Sequence, residues 1–291
     1  DARQARCSHL LWIIENYPGA AIAGQPEVML LLQLEKENYQ KAKVLWLKQV
    51  DKHKDRATVF GNAAKFFQIS DRELAESLLS KARTLEPNTS QWARELGLLY
   101  RLSAGVGIQR SAEKRKELSA KALKQFEDAL KAMKTESESE GASKAMMAEL
   151  GRFALLGYVA VAALDAGELK KAEAYATEML TIAASHKSDW NYGNAVHHGN
   201  LVLGRLALAS GNLAKAKQHL IEAGKTPGSP QLNSFGPNMT LAKELLEKGE
   251  KEIVLEFFQL CSKFWERDRL KQWADDVEKG RVPKFGGNLL Y

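Results

Sequence analysis

Cysteine is almost absent from this chain, and the two that exist, Cys7 and Cys261, stand at opposite ends. Neither a short disulfide staple nor a thiolate metal knuckle can be built from such a pair, so buried thiols are the expectation. No run of about 18 or more apolar residues occurs, which excludes a membrane span on the run-length criterion. Charge of one sign is not concentrated either: 42 basic against 36 acidic residues leave +6, spread along the chain. The basic stretches at Lys41, Lys43, Lys48, Lys52, Lys54 and at Arg110, Lys114, Arg115, Lys116 are interleaved with acids and carry no aromatic ladder, so nucleic acid is a disfavoured partner. A phosphate-cradling glycine loop, a Gly-x-Ser-x-Gly elbow and a His-Glu-x-x-His pair are all missing. No catalytic residues, metal or cofactor are therefore expected.

What remains is the composition of a folded protein, 45% hydrophobic and 27% charged in 291 residues, with only 7 Pro to interrupt helices. The sequence begins at Asp1 and not at Met, as a processed or trimmed product would. A cytoplasmic location and export with a signal removed before Asp1 both stay open.

Self-similarity is the strongest signal. Ala75, Leu79, Ala82 and Pro87 stand at offsets of 4, 7 and 12, placing two small residues around a larger one on a single helix face. Small side chains let a second helix approach a first closely, and the larger one fills the space between them. The spacing recurs at Ala122, Phe126, Ala129, at Ala172, Ala176, Met179 and at Ala216, Leu220, Ala223. Gly167, Gly211 and Gly249 each precede the second-helix position by five residues, where a left-handed cap would end the first helix. Trp92, Leu96, Gly97 and Tyr100, then Leu203 and Gly204, supply first-helix pairs.

Together these residues resemble the tetratricopeptide repeat (TPR) family over most of 23–264. The resemblance implies an all-α fold, a right-handed α-α superhelix of about six helical hairpins. Expected hairpins are 23–55, 56–89, 90–135, 145–186, 190–230 and 235–264. Leu10, Leu11, Ile13 and Ile14 predict a short helix ended by Pro18-Gly19, and Phe264, Trp265, Leu270, Trp273 and Val277 a terminal one. These are the capping helices at the two ends. Cys261 falls at a packed second-helix position, which makes it an inert thiol.

The family also implies a concave groove lined by first helices that holds a segment of another protein or peptide. Its places map onto Arg94, Glu95, Leu98 and Arg101, Tyr158 and Asp165, His198, Val202 and Arg205, and Met239, Lys243 and Glu247. On this reading Arg94, Arg101, Arg205 and Lys243 recognise acidic groups while Tyr158 and Met239 offer apolar contact. The paired Asn positions that chaperone-binding members use as a carboxylate clamp are not reproduced.

Two stretches depart from the repeat. An insertion from Ser103 through Arg110 to Lys116 predicts a mobile Gly105-Val106-Gly107 loop followed by a lengthened helix. The polar run Thr135 to Gly141 predicts an acidic flexible linker over 136–144, separating an N-terminal domain, 1–135, from a C-terminal one, 145–291. A further irregularity is Lys225 to Met239, where three Pro and two Gly stiffen a loop that displays Gln231, Asn233, Ser234 and Asn238.

Upstream lie Trp190, Tyr192, Asn194, His197 and His198. If the loop folds back on them, Trp190, Tyr192, Asn194, His197, His198, Asn233 and Asn238 would line a pocket for a small ligand or a sugar, the alternative to a protein-binding scaffold. Adjacent histidines point about 100° apart on a helix, too far to share one metal ion easily.

Overall fold

The computed structural model describes residues 2–105, 111–139 and 142–289. Fourteen α-helices and no strand occur among them. The first seven are α1 (Ala2–Asn16), α2 (Lys36–Lys52), α3 (Ala57–Phe67), α4 (Arg72–Leu85), α5 (Ser90–Ala104), α6 (Ala112–Ser139) and α7 (Ala142–Ala166). The rest are α8 (Leu169–Ser185), α9 (Tyr192–Ala209), α10 (Leu213–Gly224), α11 (Pro230–Phe235), α12 (Thr240–Leu246), α13 (Lys251–Cys261) and α14 (Arg267–Glu278). The chain divides into two compact units, 1–103 with 124–136 and 104–123 with 137–291, so α6 contributes to both.

In the first unit the helices follow from local chemistry. Asp71 caps α4 by accepting the Leu74 N–H at 3.4 Å, and Ala75, Leu78, Leu79 and Ala82 form its buried stripe. Close approach is enforced where side chains vanish: a Cβ on Gly61 would lie 2.1 Å from the Trp92 ring, and one on Gly97 would lie 2.4 Å from Phe126. Arg83 of α4 ties to α6 through Asp128 at 2.7 Å and through Gln125. Glu136 accepts both the backbone N–H and the hydroxyl of Ser90, at 2.7 and 2.9 Å, and so caps α5.

Glu136 thus belongs to an ordered contact in the stretch expected as a linker. Residues 136–139 are the last turn of α6, and 140 and 141 lie outside the described residues. The same holds for Val106 and Gly107 of the expected loop, although α6 is the longest helix, as the insertion predicts. Where the hairpin expected at 23–55 would have its first helix, the chain makes 3₁₀ turns at Ala21–Gly24 and Pro26–Val28. Pro26 and Gly24 favour such short turns over a longer helix, and α1 packs on α2, as does α3.

The second unit is a succession of antiparallel pairs: α7 with α8, α9 with α10, and α12 with α13. Three first helices close in the same way. Gly167, Gly211 and Gly249 take φ of +84°, +80° and +87°. The residue after each donates back across the turn, Glu168 to Ala163 at 2.9 Å, Asn212 to Ala207 at 2.8 Å and Glu250 to Leu245 at 3.0 Å. Ala172, Ala176, Ala216 and Ala223 are fully buried.

Met146–Ala166 of α7 has a mean hydropathy of 1.5 and is long and apolar enough to cross a membrane, which the run-length criterion had excluded. Its Phe153 and Leu156 are buried with Met179, Ala183 and Ala195, while Met146, Met147 and Tyr158 are exposed, so one face of the helix packs against its neighbours. The far end of this unit is aromatic: Trp273 lies 5.6 Å from Trp265 and 5.0 Å from Phe285. Both cysteines are free and buried, and burial pushes the Cys261 thiol well up.

Candidate functional site

The groove residues fall in two units and are described separately. In the first unit Arg94 is exposed on α5 and pairs with Glu95 at 3.4 Å, which in turn meets Lys65 at 3.6 Å. Leu98 and Arg101 are half-exposed on the same helix.

In the second unit α9 touches both α7 and α12. Arg205, in the middle, spans them: its Nε donates to Glu244 of α12 at 2.9 Å and its Nη1 to Asp165 of α7 at 3.4 Å. Burial pushes the Glu244 carboxyl above the usual carboxylate range, against the pull of Arg205. Arg205 is therefore satisfied within the fold. The expected recognition of acidic groups by this side chain is replaced by a bridge between helices. Lys243 pairs with Glu247 one turn on.

Tyr158 is exposed and His198 is half-buried. Val202 and Met239 carry the opposite lesson. Both are buried, Met239 completely, because its backbone N–H is tied at 2.8 Å to the Asn288 carbonyl and its side chain enters the core. Met239 therefore serves the interior and does not offer the apolar contact to a partner that the sequence suggests.

The 225–239 segment does fold back onto α9, and a sequence reading had no means of seeing how tightly. The Thr226 hydroxyl donates to the Gly193 carbonyl at 2.8 Å, and a Cβ on Gly193 would lie 1.8 Å from the Gly228 carbonyl oxygen. The Ser229 hydroxyl donates to Asn194 Oδ1 at 2.6 Å, while Asn194 Nδ2 donates to Asn191 Oδ1 at 3.1 Å and to Gln231 at 3.0 Å. His197, with no exposed surface, donates from Nδ1 to the Ala223 carbonyl at 3.1 Å. Its Nε2 accepts the Asn238 N–H at 3.0 Å.

Amides, hydroxyls and imidazole thus satisfy one another within the fold. Asn233 Oδ1 accepts the Ser229 N–H at 3.3 Å, and Asn238 Oδ1 accepts from Thr240 at 2.8 Å at the start of α12. Tyr192 packs beside the Phe153 cluster and Trp190 stays exposed.

From the other side the segment is held by the C-terminal tail, where Asn288 Nδ2 donates to the carbonyls of Phe235 and Pro237 at 3.1 and 3.0 Å. Thr226, Ser229 and Asn288 were not singled out by sequence. Only Ser229 had a readable signal, a hydroxyl immediately before Pro230, which is how a helix start is written; it caps α11 by accepting the Leu232 N–H at 3.0 Å.

Burial lowers the His197 pKa to about 4, so the ring is neutral at pH 7, as its two hydrogen bonds require. Among the described residues no three His, Cys, Asp or Glu side chains are grouped to share a metal ion. No family model matches the chain, and no curated protein matches it.

Proposed function

We propose that the chain is a non-catalytic scaffold of the TPR kind, a right-handed superhelix of hairpins that holds a segment of another protein on its first-helix face. The observation that carries this reading is the side-by-side placement of α7, α9 and α12, bridged by Arg205, with α8, α10 and α13 as their hairpin partners. Such a layer presents three parallel rows of side chains, which suits an extended or helical segment. Repeated glycine closures and buried alanines at the pairing positions support the same architecture. Tyr158 and Lys243 are the side chains on this face best placed to touch a partner.

The test is selection from a displayed peptide library followed by titration of the winners against Tyr158→Ala and Lys243→Glu. The reading expects each change to weaken selected peptides about tenfold, the scale of one interface contact. Equal affinity for wild type and both variants, or no enrichment over an unrelated helical protein, refutes it. Arg205 is left intact, because it is already paired with Asp165 and Glu244 within the fold.

A further inference from the structure

The 225–239 segment is anchored to α9 at several points, and one of them can change its hydrogen-bonding sense. His197 Nδ1 must carry a proton to donate to the Ala223 carbonyl, so its Nε2 must be bare to accept the Asn238 N–H. A second proton would set an imidazolium N–H against a backbone N–H. Around the ring α13 presents Phe257, stacked at 6.3 Å, and α9 itself presents His198 edge-on at 5.3 Å. From α10 comes the Ala223 carbonyl, and from the segment the Asn238 amide. Of these groups only His198 titrates, and none brings a carboxylate to hold the charge.

We propose that His197 is a proton-operated latch: taking up a proton breaks its bond to Asn238 and releases the 225–239 segment from α9. The other ties on this side, Thr226 to Gly193 and Ser229 and Gln231 to Asn194, are made by groups that do not ionise. Asn288 likewise holds from the tail with an amide. Acid therefore acts on one anchor and leaves the rest to fail in turn. Because Asn238 also caps the first turn of α12, release loosens the start of that helix. The latch stands whether or not the first-helix face holds a partner, since it is read at the segment itself.

The linkage has a definite sign. A released, hydrated imidazole titrates near 6.5, and the latched one near 4, so the released form binds the proton better between those values. Falling pH in that window favours release. From pH 7.5 to pH 5 the released population grows up to about thirtyfold.

Hydrogen exchange of the intact chain, followed by mass spectrometry at both pH values and corrected for intrinsic rates, reads this directly. Protection over 226–239 should fall by at least tenfold at pH 5 while α8 stays unchanged. His197→Gln should abolish the pH response and His198→Gln should keep it. A change below twofold in wild type, or an equal response in His197→Gln, overturns the latch. Should His197→Gln fail to fold, imidazole nitrogen shifts of the wild type decide: a bare Nε2 at neutral pH with titration well below 6.5 supports the latch. A protonated Nε2, or titration near 6.5, overturns it.

Discussion

The two ends of α9 are fastened by different chemistry. At its start, uncharged groups buried from water exchange hydrogen bonds with the 225–239 segment; at its last turns, the half-exposed Arg205 spans two carboxylates. Neutral buried bonds are costly to break, because the partner left behind has no water to turn to. Ionic contacts that keep part of their access to water lose less, because water and salt replace some of the interaction. The knot at the start of α9 is accordingly expected to govern stability, and the bridge to tune it.

The sharpest way to break this contrast is Gly193→Ala. A methyl carbon 1.8 Å from the Gly228 carbonyl oxygen forces two backbones apart, with an expected loss of about 3 kcal/mol or more in urea unfolding. Next comes acid. The His197 pKa is depressed on folding, so its contribution is full above about 6.5 and is lost as pH falls toward 4. The stability difference between wild type and His197→Gln should shrink by about 3 kcal/mol between pH 7.5 and pH 4.

Asn194→Ala strips partners from Ser229, Gln231 and Asn191 together and should cost about 2 kcal/mol. The smallest effect belongs to Arg205→Ala, about 1 kcal/mol at low salt and less at high salt, read by thermal melts across ionic strength. A larger loss for Arg205 than for Asn194 would invert the comparison.

Much of the helical pattern was legible, and for one reason. Ala75, Ala82, Ala216 and Ala223 announce close helix pairs because only small side chains permit them, and all are fully buried. Gly167, Gly211 and Gly249 announce their turns because a left-handed residue costs other side chains dearly. Both signals are local, readable within one hairpin. The site was legible only in outline. That the loop and the start of α9 would meet could be guessed, but not that Asn194 and His197 would be consumed by the meeting.

Which of two adjacent histidines is buried depends on how α10 and α13 lie against α9, and no spacing records that. The burial of Met239 is hidden for the same reason: it is decided by Asn288, in a tail without repeat character. The charge of Arg205 is legible in the sequence, while its partners Asp165 and Glu244 lie 40 and 39 residues away.

The tail's hold on Phe235 and Pro237 reaches across 53 and 51 residues of chain. During synthesis those carbonyls emerge long before Asn288 does, so the segment waits through the making of α12, α13 and α14 with only its α9 side fastened. A polypeptide cut off before Phe285 would retain the residues of the fourteen described α-helices yet carry a lid with one hinge pin missing, and this segment is where proteolysis is expected first.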